Sequence, residues 1–315
     1  MAEPANDTQV WCGLDIGGTK IELAAFDAGF DCVLRQRIDT PQHDYPAFIE
    51  AVAGLVEAGE RELGRRSSGL GIGLPGVRDR DSGLQLSSNV PALSGRPLAA
   101  DLTTRLARPL AFGNDCQCFA LSEASGGAGE GAPSMLGVIL GTGASGGYCI
   151  DGRLVGGYNG FVSEWGHWSL PARLLQQYEL PLLGCACGLQ GCFERYVSGS
   201  GLAQLQRLLG GSATNAGTVL ELARQGDALA QRACAVHLDL LGHALAALVL
   251  GFDPHRIVLG GGLSQHAALY TQLPAAVGAH LFAGARVPPI LPPRFGAAGG
   301  ARGAALLARQ QGQAH

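Results

Sequence analysis

The sequence predicts an α/β protein of two lobes with a ligand cleft between them. Three observations carry this reading: the length, the succession of short apolar strands and amphipathic helices in both halves, and glycine turns at three strand ends. At 315 residues the chain exceeds the roughly 250–300 at which one core stops growing. Its residues are 47% hydrophobic, ample for a core, and only 15% charged, which argues against disorder.

The elements follow in order. Val10 to Ile16 and Lys20 to Phe26 are apolar runs around Gly17-Gly18, a hairpin pattern. Tyr45 to Leu63 carries helical spacing at Phe48, Val52, Leu55 and Val56. Leu70 to Leu74 reads as a strand closed by Pro75-Gly76. Pro97 to Leu106 reads as a helix entered at a proline. A strand at Pro109 to Phe112 leads into a helix at Asp115 to Ala124, and the small-residue loop Gly126 to Pro133 fits a lobe boundary. Met135 to Leu140 is a buried strand, and Asp151-Gly152 a hairpin turn. Asp227 to Leu250 is a long helix stopped by Gly251 and Pro254. Ile257 to Leu259 is a further strand, and Gly299 to Ala308 the closing helix.

Composition excludes several classes. A formal net charge of -4 offers no basic footprint, so no nucleic-acid partner is expected. Met1 to Gln9 is polar and acidic, unlike a secretory leader. Continuous apolar stretches such as Ala244 to Gly251 fall short of the roughly 18–20 residues of a membrane span. No membrane partner is expected, and a cytoplasmic location is. The nine cysteines then read as thiols or metal ligands rather than disulfides.

The glycine turns suggest phosphate binding. In Asp15-Ile16-Gly17-Gly18-Thr19-Lys20, consecutive glycines allow close backbone approach, and free N–H groups can donate to phosphate oxygens. Thr19 adds a hydroxyl, Lys20 the only ammonium side chain in the sequence, and Asp15 a carboxylate able to orient hydrated Mg²⁺. The residues alone leave open an ordinary glycine hairpin. Gly141-Thr142-Gly143 and Gly260-Gly261-Gly262 also follow apolar strands, and the three turns together favour a nucleotide. Two G-x-G-x-x-G matches, at Gly71 to Gly76 and Gly141 to Gly146, are not dinucleotide fingerprints, because neither opens a helix. Lys20 follows Thr19 rather than a glycine, so there is no Walker A loop.

Asn114-Asp115 lies where a strand gives way to a helix. Asp115 there is either a plain cap or a general base that takes the proton of an attacking hydroxyl. Asn114 offers both a donor and an acceptor to a polyhydroxyl ligand. Cys185, Cys187 and Cys192 place three thiols within eight residues, and His167 is the nearest fourth ligand for a tetrahedral zinc. Three buried thiols without metal remain the alternative. Glu164, His167 and Glu194 flank this knot and can bind sugar hydroxyls, although Glu194 can equally be a helix-start acid. The remaining cysteines, Cys12, Cys32, Cys116, Cys118, Cys149 and Cys234, are scattered and read as small core residues.

Taken together, these motifs resemble the ROK family of sugar kinases, from Asp15 to the final helix. Asp15 to Lys20 is similar to the family's phosphate loop, Gly71 to Gly76 to its substrate-lobe loop, and Asn114-Asp115 to its catalytic pair. Gly141 to Gly143 resembles its second phosphate loop and Gly260 to Ser264 its adenosine-side loop. Glu164-x-Gly166-His167 with Cys185-x-Cys187-Gly188-x-x-Gly191-Cys192-x-Glu194 resembles its signature.

The resemblance implies an actin-like, ribonuclease H-like fold of two lobes closing over ATP and sugar. Residues 1–115 with 299–315 would form the small lobe and 116–298 the large one. It implies Asp115 as base, and sugar contacts from Gly76, Asn89, Asn114, Asp115, Glu164, His167 and Glu194. ATP would meet Asp15, Gly17, Gly18, Thr19, Lys20, Gly141, Thr142, Gly143, Gly260, Gly261 and Gly262. Mg²⁺ would accompany ATP, and a structural zinc would be held by His167, Cys185, Cys187 and Cys192. A homodimer is expected on the same ground. Ser88 to Leu98 and Asn114 to Ala124 most resemble the family's bacterial N-acetyl-D-glucosamine kinases, so the 6-hydroxyl of that sugar is the expected acceptor. Trp165 is more like the family's fructokinases, which keeps fructose, mannose and glucose as alternatives. The family also holds repressors, but only about a dozen residues precede Asp15, too few for a DNA-binding helix-turn-helix. A non-catalytic, sugar-responsive regulator is the expectation of a different class.

Overall fold

The computed structural model describes residues 9–87, 90–296 and 299–312. Its contacts divide the chain into two compact units. The first runs to Ser125 and takes in Arg153–Val162 and the last helix. The second comprises Gly126–Gly152 and Ser163–Gly296.

The first unit opens with β1 (Trp11–Ile16), β2 (Lys20–Phe26) and β3 (Cys32–Asp39), followed by α1 (Tyr45–Glu62). Next come β4 (Gly69–Leu74), the short pair β5 (Val77–Arg78) and β6 (Gln85–Leu86), α2 (Leu98–Leu106), β7 (Ala111–Asn114) and α3 (Asp115–Ala124). The sheet order is β3-β2-β1-β4-β7. The hairpin β1-β2 is antiparallel, with Ile16 opposite Ile21, while β4 is parallel to β1 and β7 to β4. Leu14, Ile16, Leu23 and Ile72 meet Phe48 and Val52 of α1 and Leu98 and Leu102 of α2 in one core. The helical spacing of α1 is the pattern that buries this face. Its N-cap, Asp44, accepts the Ala47 N–H.

The second unit holds β8 (Ser134–Leu140) and β9 (Ala144–Ile150); β10 (Arg153–Leu154) opens the segment that returns to the first unit. Then follow α4 (Ala172–Gln177), α5 (Glu194–Val197), α6 (Gly199–Leu208), α7 (Ala216–Arg224), α8 (Ala228–Phe252), β11 (Arg256–Gly260), α9 (Ala268–Gly278) and β12 (Ile290–Leu291). Strands run in the order β9-β8-β11-β12, with β8, β11 and β12 parallel. Leu240, Leu241, Leu245 and Leu248 of α8 pack in a core with Leu273 and Val277 of α9.

Taken whole, α8 is long and apolar enough to cross a membrane, by length and composition. This corrects the expectation drawn from continuous apolar runs, which the scattered polar residues of α8 interrupt. Most of its apolar window is buried inside the unit, as in the core helix of a globular fold.

The last helix, α10 (Gly299–Gly312), lies directly on β1 and β4. A Cβ at Gly13 would stand 1.9 Å from the Ala301 carbonyl oxygen, and one at Gly71 1.8 Å from that of Ala304. Only glycine permits this backbone-to-backbone seat. Helix α3 packs on the other side of α10, where a Cβ at Gly303 would meet the Cys118 carbonyl at 1.7 Å. That packing carries α3 into the first unit. The boundary therefore falls at Ser125/Gly126 rather than at the expected 115/116, and residues 153–162 leave the expected large lobe.

Candidate active site

In the first unit, β1, β4 and β7 bring three motifs to one edge of the sheet. Asp15 lies opposite Gly73, Gly73 opposite Gly113, and Leu74 opposite Asn114. Asp15, Pro75-Gly76 and Asn114-Asp115 therefore line up at the carboxyl ends of the parallel strands, where open α/β sheets bind ligands.

Desolvation dominates the acids there. Burial, then the charges of Asp115 and Glu22, push the Asp15 carboxyl up to about 7, while Arg37 opposes the rise. Burial also raises Asp115, against the N–H of Cys116, which donates to its Oδ1 at 2.9 Å. Asn114 caps α3: its Oδ1 accepts the Cys116 N–H at 2.9 Å, and its Nδ2 donates to the Gly76 carbonyl at 2.9 Å. Gly76 has φ +82°, and a Cβ there would lie 2.0 Å from the Leu86 carbonyl oxygen. This edge borders a cavity of about 360 Å³ lined by Gly76, Arg80, Asn114, Gln117, Tyr158 and Asn159.

The turn from Gly17 to Lys20 is closed by the Gly17 N–H donating to the Lys20 carbonyl at 2.9 Å. Thr40 braces it, its hydroxyl donating to the Gly17 carbonyl at 2.9 Å and its N–H to that of Thr19 at 3.0 Å. Gly18 is half-buried, whereas Thr19 and Lys20 are exposed. The Lys20 ammonium pairs with exposed Asp39 at 2.7 Å. Asn89 lies outside the described residues.

In the second unit, Gly141–Gly143 and Gly260–Gly262 end the parallel neighbours β8 and β11, where Gly260 lies opposite Ile139. Gly261, at φ +78°, has no room for a Cβ, which would sit 2.5 Å from the Leu140 carbonyl oxygen. The two turns thus touch backbone to backbone. The Gly141 N–H donates to the Gly143 carbonyl at 3.0 Å, and the Gly141 carbonyl accepts the Gly199 N–H at 2.8 Å. Thr142 is exposed. Beside Gly262 opens a cavity of about 740 Å³, lined among others by Arg224, Leu238, Gln265 and His266.

Glu194 begins α5, and its Oε2 accepts the Ala144 N–H at 3.0 Å, just past the first of these turns. Glu164 precedes the 3-10 turn Trp165–His167, and its carbonyl accepts the His167 N–H at 3.2 Å. Trp165 is fully buried.

His167, Cys185, Cys187 and Cys192 converge, with one ligand atom from each lying within 4.8 Å of the others. Cys187 and Cys192 Sγ are 3.7 Å apart, and Cys185 Sγ lies 3.7 Å from His167 Nδ1. A tetrahedral zinc with bonds of about 2.3 Å holds two sulfurs about 3.8 Å apart. The donor set and the spacing both fit that ion. Among the other cysteines, Cys12, Cys118 and Cys149 are buried and Cys116 and Cys234 partly so, but Cys32 is exposed on β3, contrary to its reading as a core residue.

Several residues at these sites escaped the sequence reading. Gln117 was visible only through the Asn114-x-x-Gln117 capping pattern. Arg80, Tyr158, Asn159, Arg224, Gln265 and His266 carry no local motif.

A model of the ROK family matches residues 11–311, and the chain belongs to that family. It is a sugar kinase with the actin-like fold. It is 47% identical over 298 residues to the N-acetylgalactosamine kinase AgaK of Shewanella sp. (strain ANA-3), covering 95% of this chain and 96% of that one. It is 41% identical over 300 residues to the N-acetyl-D-glucosamine kinase of Pectobacterium atrosepticum, covering 95% and 98%. Among solved structures, the ROK hexokinase of Thermus thermophilus aligns with a TM-score of 0.87 at 32% identity, over 98% of this chain and 100% of that one.

Proposed function

We propose that the chain transfers the terminal phosphoryl group of ATP to the 6-hydroxyl of N-acetyl-D-glucosamine, with Asp115 as general base. The observation that carries the reaction is the Asn114–Asp115 pair, capped and held at a strand end beside a cavity of sugar size. The observation that supports the sugar is the likeness to an N-acetyl-D-glucosamine kinase along nearly the whole chain. The higher identity to an N-acetylgalactosamine kinase favours a second reading, the C4 epimer of the same sugar.

Phosphoryl transfer asks the protein chiefly for position and charge. Asp115 accepts the hydroxyl proton as the new bond to phosphorus forms. Burial, which raises its pKa, makes it a stronger base. Asn114 spends one amide hydrogen on Gly76 and one acceptor site on Cys116, leaving a donor and an acceptor for sugar hydroxyls. Gly76, Asn89, Glu164, His167 and Glu194 complete the proposed sugar contacts. Gly17, Gly18, Thr19 and Lys20, with Gly141, Thr142 and Gly143, would face the phosphates. Gly260, Gly261 and Gly262, with the 740 Å³ cavity beside them, would take the adenosine.

Asp15 would hold Mg²⁺ through water, and the bound ion neutralises phosphate charge. His167, Cys185, Cys187 and Cys192 would hold a structural zinc, which fixes the orientation of the His167 ring. A homodimer in the cytoplasm, with no nucleic-acid or membrane partner, completes the proposal. Fructose, mannose and glucose stand behind the two acetamido sugars. A purely regulatory role is opposed by Asp115 and the glycine turns.

The test is ATP-dependent ADP release with N-acetyl-D-glucosamine, N-acetyl-D-galactosamine, fructose, mannose and glucose in parallel. The highest kcat/KM is expected for N-acetyl-D-glucosamine. A preference for its galactose epimer establishes the second reading, and no turnover on any of the five overturns both.

A further inference from the structure

We infer that Gln117 is a positioning residue that fastens the Gly157–Gly160 segment to the cavity of the first unit, and that this segment sets how tightly the sugar is held. The inference rests on the reading of that cavity as the sugar site.

Gln117 is buried on the first turn of α3, two residues after Asp115. Its two amide atoms serve opposite walls of the cavity. Oε1 accepts the Asn114 N–H at 3.4 Å, and Nε2 donates to the Gly160 carbonyl at 2.9 Å. The pairing is chemically selective. One partner is a donor and the other an acceptor, so the side chain must present both, and only an amide of this reach does so. Through Asn114 the same linkage continues to the Gly76 carbonyl. A single chain of hydrogen bonds thus joins Gly160, Gln117, Asn114 and Gly76, all lining one cavity.

The far wall depends on such ties. Gly157 and Gly160 both take left-handed φ, +72° and +79°, and bracket Tyr158-Asn159 as a tight exposed loop. Among the described residues, no backbone–backbone hydrogen bond holds Gly157–Gly160. Its second tie is Arg80, whose guanidinium lies 4.0 Å from the centre of the Tyr158 ring and donates to the Tyr158 carbonyl. Tyr158 remains 80% exposed, unusual for so large an aromatic. The cavity, a loop bracketed by two left-handed glycines and the two side-chain ties converging on it together describe a wall whose position is set by Gln117 and Arg80.

The experiment measures sugar binding by calorimetry without ATP, and steady-state kinetics, for Gln117→Glu, Arg80→Ala, the double variant and Asn114→Ala. Gln117→Glu keeps an acceptor for Asn114 but turns a carboxylate toward the Gly160 carbonyl. Its sugar Kd and KM are expected to rise about tenfold, the scale of one lost hydrogen bond. Its kcat should stay within about threefold and its KM for ATP unchanged. Arg80→Ala, at an exposed position that leaves the core untouched, should show the same split. The double variant should lose less than the product of the two, because both side chains hold one segment. Unchanged sugar Kd in both single variants, with binding abolished in Asn114→Ala, overturns this inference and leaves the sugar site standing. So does a fall in kcat at unchanged Kd, which would confine Gln117 to Asn114–Asp115. Sugar binding intact in Asn114→Ala overturns the reading of the cavity, and the inference with it.

Discussion

The Glu194 carboxylate accepts the Ala144 N–H at 3.0 Å and so fastens the start of α5 to the exit of the Gly141–Gly143 turn. Its other oxygen lies 3.9 Å from Cys185 Sγ. A Cβ at Gly143 would come within 2.5 Å of the carboxylate, so the turn is built around this acid. One side chain therefore couples the cysteine knot to a proposed phosphate loop, in addition to the sugar contact its motif implies. Glu194→Ala is expected to lower kcat/KM roughly 10- to 100-fold, the scale of a charged hydrogen bond lost at a partly buried site. Glu194→Gln keeps an acceptor for Ala144 and should lose less. Metal content should be the same in both, which metal analysis beside the kinetics will check, because Glu194 is not among the four converging ligands.

Asp115 is the proposed base, and its substitution separates chemistry from binding. Asp115→Asn preserves size and the Cys116 contact but cannot take a proton. Its kcat should fall by about 10²–10⁴, with the sugar Kd changed only a few-fold. The base must be ionised to act, and burial has raised its pKa. In the parent enzyme kcat/KM should therefore fall as pH drops through that raised value. A pH–rate profile of the parent that stays flat through the acid range would remove Asp115 from this role.

Asp15 makes a prediction about stability. Its carboxyl is pushed up to about 7 in the fold, against an ordinary value of 3.8, first by burial and then by Asp115 and Glu22. The folded state thus binds this proton more tightly than the unfolded chain does. The resulting stability is fully present below about 3.8 and is lost as pH rises through about 7. Asp15→Asn removes the cost of the buried charge. In thermal melts without nucleotide or Mg²⁺, the variant should melt a few degrees above the parent at pH 8 and with it at pH 4. It should also be poorly active, a trade of function for stability.

The parts of the site visible in the sequence are those written as short local patterns. Gly17-Gly18, Gly141-Thr142-Gly143 and Gly260-Gly261-Gly262 follow apolar strands, and the fold sets all three at strand ends. Asn114-Asp115 marks the β7–α3 junction because the cap and the acid belong to the same few residues. What was not visible depends on contacts distant in sequence or on weak patterns. Strand β3 buries only Leu34 closely and alternates too little to stand out. Helix α6 begins Gly-Ser-Gly, and α9 carries Pro274 inside it, so local propensity hides both. Helix α7 fully buries only Val219. Gln117 meets Gly160 across 43 residues, and no local spacing announces such a pair.

The cysteine knot gives the last prediction. His167, Cys185, Cys187 and Cys192 come from two short segments that the backbone joins at two bonds, the Leu170 N–H donating to the Gly191 carbonyl at 2.7 Å and the Phe193 N–H to the Trp168 carbonyl at 2.9 Å. An ion shared by all four would add a tie from the side chain of His167 itself to the three thiols of the knot. Purified protein should contain about one zinc per chain. Cys187→Ser should lose it, while Cys32→Ser, an equally exposed thiol outside the cluster, should keep it. A strong chelator should lower the melting temperature of the parent by several degrees and leave that of Cys187→Ser nearly unmoved, since that variant has no ion left to lose. Sugar affinity should fall with the metal, because the ring of His167 loses the partner that orients it. Full zinc content in Cys187→Ser would exclude this thiol from the ligand set.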